Sequence, residues 1–119
     1  MTPRELTQEI VKVLDEKKAI DIKAIETTEL TILSDFFVIA SGTSTTHTKS
    51  LANDLEHELI KRHSINVKTI EGRATGWILL DFGTVLVHIF SQESREYYNL
   101  ERLWGDARVM DLSDIITEE

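Results

Sequence analysis

The sequence contains no cysteine and a single proline. Without cysteine there is neither a disulfide framework nor a thiolate metal site, and the chain suits a reducing compartment. Only five glycines occur, and no Gly/Pro/Ser-rich linker divides the chain. No apolar run approaches the ~18–20 residues that span a bilayer. The N-terminus, Met1-Thr2-Pro3-Arg4-Glu5, has neither a signal h-region nor a basic transit pattern, so a cytoplasmic location is expected. Basic charge is also scarce: 13 Lys and Arg stand against 21 Asp and Glu, a net charge of −8. Free nucleic-acid binding depends on neutralising phosphates, and the only basic pairs are Lys17-Lys18 and Lys61-Arg62. A basic protein is the better electrostatic partner, while the plainer reading of the acidity is solubility.

What is present is an ordinary globular composition, 41% hydrophobic and 29% charged over 119 residues, enough for one domain. Thr2-Pro3-Arg4-Glu5 is a capping box. Leu6, Ile10, Val13 and Leu14 follow at helical spacing, which predicts a helix ending near Lys17-Lys18. Residues 19–27 alternate as a strand. Residues 29–33 are too short to classify. Asp35 to Ala40 is continuously apolar, a strand buried on both faces. A helix is predicted from Ser44 or Thr45 to His63, with Leu51, Ala52, Leu55 and Leu59 inward. Next come a strand over 66–71, then a hairpin, then a helix capped by Ser91 or Ser94 that continues through Trp104 and stops at Gly105. The order α-β-β-α-β-β-β-α implies one mixed sheet of about five strands flanked by helices, in the α/β (α+β) class. The domain is expected to cover 1–110. Residues 111–119 form an acidic tail, in which Leu112, Ile115 and Ile116 are able to dock.

The hairpin carries the functional expectation. Runs Trp77–Leu80 and Val85–Phe90 flank Asp81-Phe82-Gly83-Thr84. With Phe82-Gly83 as the loop, Asp81 faces Thr84, Leu79 faces Leu86, and Trp77 faces His88. Ile78, Leu80, Val85, Val87 and Ile89 then share a wholly aliphatic face, and Trp77, Leu79, Asp81, Leu86, His88 and Phe90 share a mixed one. A three-residue loop with Gly83 left-handed would break this sorting.

Catalytic motifs are thin. Gly42-Thr43-Ser44-Thr45-Thr46 precedes a helix and suits a phosphate in principle, giving a nucleotide-binding or nucleotidyl-transferring enzyme as the alternative function. It lacks the G-x-x-x-x-G-K-[ST] frame, and helix capping explains it more simply. No paired strand carboxylates are present to hold metal ions. His47, His57, His63 and His88 have no zinc-site spacing. No nucleophile elbow occurs, and Asp81-Phe82-Gly83 is a turn rather than a kinase signature. His88 interrupts an apolar strand, either as a core histidine bonded to backbone or carboxylate, or as a partner contact. Trp and Tyr are common interface anchors, which draws attention to Trp77, Tyr97, Tyr98 and Trp104.

Ser34-Asp35-Phe36-Phe37-Val38-Ile39-Ala40-Ser41-Gly42-Thr43-Ser44, Trp77 with Leu80-Asp81-Phe82-Gly83, Val87-His88-Ile89-Phe90, and Glu93 through Asp106 resemble the ribosomal silencing factor (Iojap/RsfS) family. The resemblance runs from the first strand to about Asp106. It implies a nucleotidyltransferase-like fold without catalytic residues, no cofactor, and frequent homodimers. It also implies a non-enzymatic factor that binds the large ribosomal subunit at ribosomal protein L-fourteen, blocks subunit joining, and lowers translation when nutrients are scarce. Trp77 and Asp81 match family positions at that contact. Leu79, His88 and Tyr98 are added from face arithmetic and motif position. Thr84 departs from the acidic residue many relatives show after the turn. A homodimer and a partner would compete if both used the mixed face.

Overall fold

The computed structural model describes residues 1–29, 31–32, 34–105 and 107–116. Part of the unclassified 29–33 segment, Asp106 of the resembling motif, and 117–119 of the tail lie outside the described residues. Helix α1 spans Pro3–Glu16. Its capping box forms as the sequence requires, with Glu5 N–H donating to Thr2 Oγ1 at 3.1 Å and Thr2 N–H donating to Glu5 Oε1 at 2.9 Å. Strand β1 (Ile20–Glu26) and β2 (Phe36–Gly42) follow, then α2 (Thr45–His63) with Ser44 as N-cap. Beyond it lie β3 (Thr69–Glu71), β4 (Trp77–Asp81) and β5 (Val85–Ser91). The chain closes with α3 (Gln92–Tyr98), a 3₁₀ segment Leu100–Trp104, and β6 (Arg108–Val109).

These strands form one mixed sheet in the order β3-β4-β5-β2-β1-β6. The central pair β2 and β5 is parallel, joined by a crossover through α2, and every other pair is antiparallel. All seven residues of β2 are buried, as expected for a strand with cover on both sides. On one side, α1 and α2 bury Ile10, Leu14, Leu51, Leu55 and Leu59 against Val38, Ile78, Leu80, Val87 and Ile89. On the other side a smaller cluster gathers Ile25, Phe37, Ile39 and Phe90 under Leu100, Trp104 and Ala107.

Several expectations are corrected. The sheet has a sixth strand, because Ile25 and Glu26 at the edge pair with Val109 and Arg108. β3 is shorter than 66–71. The last helix does not run through to Trp104: Asn99 takes a left-handed conformation, φ 45°, and the chain resumes as a 3₁₀ helix. Asn tolerates that region because its short side chain bonds locally. Apart from these corrections, Leu112 in the described part of the tail is buried, and Ile115 and Ile116 rest on the main core, the three residues already named as able to dock.

The hairpin register also differs. Trp77 faces Phe90, Leu79 faces His88, and Asp81 faces Leu86. The turn closes through Phe82 N–H donating to Val85 O at 3.0 Å, so Gly83-Thr84 is the loop. Gly83 takes the positive φ, 90°, that a two-residue turn with glycine first demands. The shift moves every pairing by two residues, and two is the period of the pleat. Each side chain therefore stays on the face first assigned to it.

Candidate functional site

The mixed face is a row of aromatic and aliphatic groups, of which α3 and the 3₁₀ segment roof one part. Trp77, Leu79 and Asp81 from β4 and Leu86 from β5 are half-buried, whereas His88 and Phe90 lie beneath the surface. Tyr98, at the end of α3, brings its ring to 4.8 Å from Trp77 and 6.5 Å from Phe90. Trp104 meets Phe37 edge-on at 5.0 Å, and Phe37 lies 4.8 Å from His88. Tyr98 remains about half exposed, at 51%. Next to Trp77 a cleft of about 360 Å³ is lined by Glu71, Gly72, Trp77 and Leu79.

His88 explains why Trp77 stands as it does. The two are diagonal neighbours across the hairpin, within reach of large side chains. Trp77 Nε1–H donates to His88 Nδ1 at 3.1 Å. An indole only donates, so Nδ1 must accept, and the neutral ring carries its proton on Nε2. That Nε2 is buried and meets no partner among the described residues. The ring is 5% exposed, and burial pushes its pKa down to about 4. His88 is thus a neutral core histidine whose partner is an indole rather than a backbone group or carboxylate. Its own surface is almost nil, so its influence on a partner passes through Trp77.

Asp81 has a local task. Its Oδ1 accepts from Gly83 N–H at 2.7 Å, bracing the turn. The roof is held by a charged network that has no spacing signal in the chain. Arg95 donates to Ser41 Oγ at 3.0 Å and to Glu101 Oε1 at 2.9 Å, and Lys23 reaches Glu101 Oε2 at 2.7 Å. Hydrogen bonds from Arg95 first, then from Lys23, hold the Glu101 carboxyl below the usual carboxylate range.

The loop Gly42–Thr46 is occupied with its own chain. His47 N–H donates to Ser44 Oγ at 3.0 Å, and Thr43 N–H donates to His47 Nδ1 at 2.9 Å. His47 Nε2, which then carries the proton, donates to Lys17 O at 2.9 Å. A Cβ at Gly42 would lie 2.7 Å from Thr48 N, so β2 and α2 touch here backbone to backbone. This is capping geometry. Among the described residues, no three His, Asp or Glu side chains gather as a metal ion would need, and no helix is long and apolar enough to cross a membrane.

The site brings together Trp77, Leu79, His88 and Tyr98, with Asp81 at the turn end of the same strand face. Its stock is apolar area and a fixed indole, which is the material of a contact surface on an open α/β sheet. The family model described as "Ribosomal silencing factor during starvation" matches residues 1–119, and the chain belongs to this family. It is 36% identical to the ribosomal silencing factor RsfS of Halalkalibacterium halodurans over 98% of this chain and 100% of that one. It is 38% identical to that of Bacillus subtilis over 82% and 83%. A crystal structure of a Chromobacterium violaceum protein superposes with a TM-score of 0.83 at 33% identity, covering 88% of each chain.

Proposed function

We propose that this protein docks on the large ribosomal subunit through ribosomal protein L-fourteen and keeps the small subunit away by occupying its space. The observation that carries the reading is the mixed face: an indole held in one orientation by a buried histidine, beside an open apolar cleft with Glu71 at its wall. Trp77 is the anchor, because a large side chain already fixed by a hydrogen bond loses little freedom on binding. Leu79 supplies the apolar floor, Tyr98 buttresses the indole, and Asp81 gives the turn its shape and one rim charge. His88 positions Trp77 from below. The acidic balance of the chain complements the basic proteins that coat ribosomal RNA. No chemical step, metal or cofactor enters; the effect is steric, exerted in the cytoplasm, and lowers translation under nutrient limitation.

The test is co-sedimentation with purified large subunits. Trp77→Ala should keep the circular dichroism of the parent and lose at least about tenfold in affinity, the ~1.4 kcal/mol or more expected of a central aromatic anchor. The parent should also lower the fraction of joined ribosomes in a gradient. Unchanged co-sedimentation of Trp77→Ala would sink the assignment of this face.

A further inference from the structure

On the side of the sheet covered by α1 and α2 lies a second concavity, different in chemistry from the docking face. It measures about 290 Å³ and is lined by Lys49 and Asn53 of α2, Arg73 and Ala74 of the loop after β3, and Ile78 of β4. Ile78 and Trp77 are consecutive in β4, so they point to opposite faces of the sheet. Lys49 and Asn53 are four residues apart on α2 and share one face of it.

Two cations converging on one hollow is unexpected on a chain of net charge −8. Among the described residues, the Lys49 ammonium meets no acceptor. Arg73 is held in place instead: it donates through Nη1 to Asn53 Oδ1 and through Nη2 to Glu56 Oε1 at 3.2 Å. A guanidinium has more N–H donors than these two bonds use. Glu56 offsets part of the positive charge, yet it also stiffens the fork that an incoming anion would meet. The first turn of α2, one turn from Lys49, carries no carboxylate to oppose an anion. A guanidinium held by two partners, with an unpaired lysine lining the same hollow, suits a group with several acceptor oxygens and more than one negative charge. A lone carboxylate would satisfy only one of the two.

We propose that this hollow binds a phosphate group, with Arg73 as the oriented fork, Lys49 as the closing charge, and Ile78 and Ala74 as the apolar floor for whatever carries the phosphate. The phosphate can belong to an RNA backbone or to a free phosphorylated molecule. The docking proposal does not bear on this one, since the two sites lie on opposite sides of the sheet.

The experiment uses the full chain and no ribosomes. Isothermal titration and thermal shift are run with pyrophosphate in one arm and a short single-stranded oligoribonucleotide in the other, with chloride at matched ionic strength as reference. At least one ligand should bind and raise Tm above the chloride reference. Arg73→Gln and Lys49→Gln should each weaken that binding by tenfold or more, Lys49→Arg should restore most of it, and Lys12→Gln on α1 should leave it unchanged. Binding of pyrophosphate assigns the site to a free phosphorylated molecule. Binding of the oligoribonucleotide alone, weakening steeply with salt, assigns it to a backbone phosphate. No binding in either arm, or binding that survives Arg73→Gln, overturns the proposal.

Discussion

On mild acidification, before its carboxylates titrate, this protein should lose stability through His88. In the folded chain its ring is 5% exposed with a pKa near 4, against 6.5 for an exposed ring. A group whose folded pKa is depressed in this way is neutral in both states above about pH 6.5, so it takes no stability from the fold at neutral pH. As pH falls, the unfolded chain binds the proton first and stability declines until about pH 4, where the folded ring also protonates. The full window is worth about 3 kcal/mol at ~1.36 kcal/mol per pH unit. Between about pH 7 and about pH 5 the expected loss is about 2 kcal/mol, or roughly 5–10 °C in Tm. Other carboxylates titrate towards the lower end of that range, so the assay is a comparison of urea unfolding for the parent and His88→Leu across pH. Leu approximates the ring's volume and does not titrate. It leaves Trp77 Nε1–H without its acceptor, which lowers stability by a constant amount. The stability of the parent minus that of His88→Leu should fall by about 2 kcal/mol on going from about pH 7 to about pH 5. Parallel curves would refute the reasoning, since they would mean that His88 is solvated or paired when charged.

Glu101→Gln should loosen the roof: removing the charge that Arg95 and Lys23 share is expected to cost about 1–2 kcal/mol, read as faster amide exchange in 100–104. The same pairing makes the parent's contribution from Glu101 present above the ordinary carboxylate range and lost as pH falls through its depressed folded value. Gly42→Ala should destabilise by about 1–3 kcal/mol, because the new Cβ would lie 2.7–2.8 Å from the Thr48 backbone; thermal denaturation checks it, and a neutral result would mean that α2 is free to slide. Thr2→Ala should lower stability by about 1 kcal/mol through loss of the capping box, with no effect on co-sedimentation.

The parts that could be read from the chain are those where a side chain reports its own environment. Continuous apolarity in Phe36–Ala40 marks a strand covered twice, and alternation in the hairpin sorts its residues correctly even with the turn placed one residue early. Pairing is a relation between two backbones, and side-chain pattern constrains it only to within the pleat period. β6 was invisible for the same reason. Its two residues are exposed, and only their backbones join the sheet. At the site, the apolar row around Trp77 was legible. The indole–imidazole bond was not, because it runs along the diagonal of a register that sequence does not specify. Nor was the Lys23–Glu101–Arg95–Ser41 network, whose members come from four separate elements.

The two outermost strands have a consequence for how this protein meets anything else. β3 offers three residues and β6 two, too little backbone for another chain to extend the sheet by strand addition. Encounter through the sheet is therefore left to the side chains on its faces, whatever the other party. Recognition built that way is graded by shape and charge at a few positions, and it can be reversed without unzipping a ladder of main-chain hydrogen bonds. Under the docking role proposed above, that kind of attachment would let the factor come off its partner again.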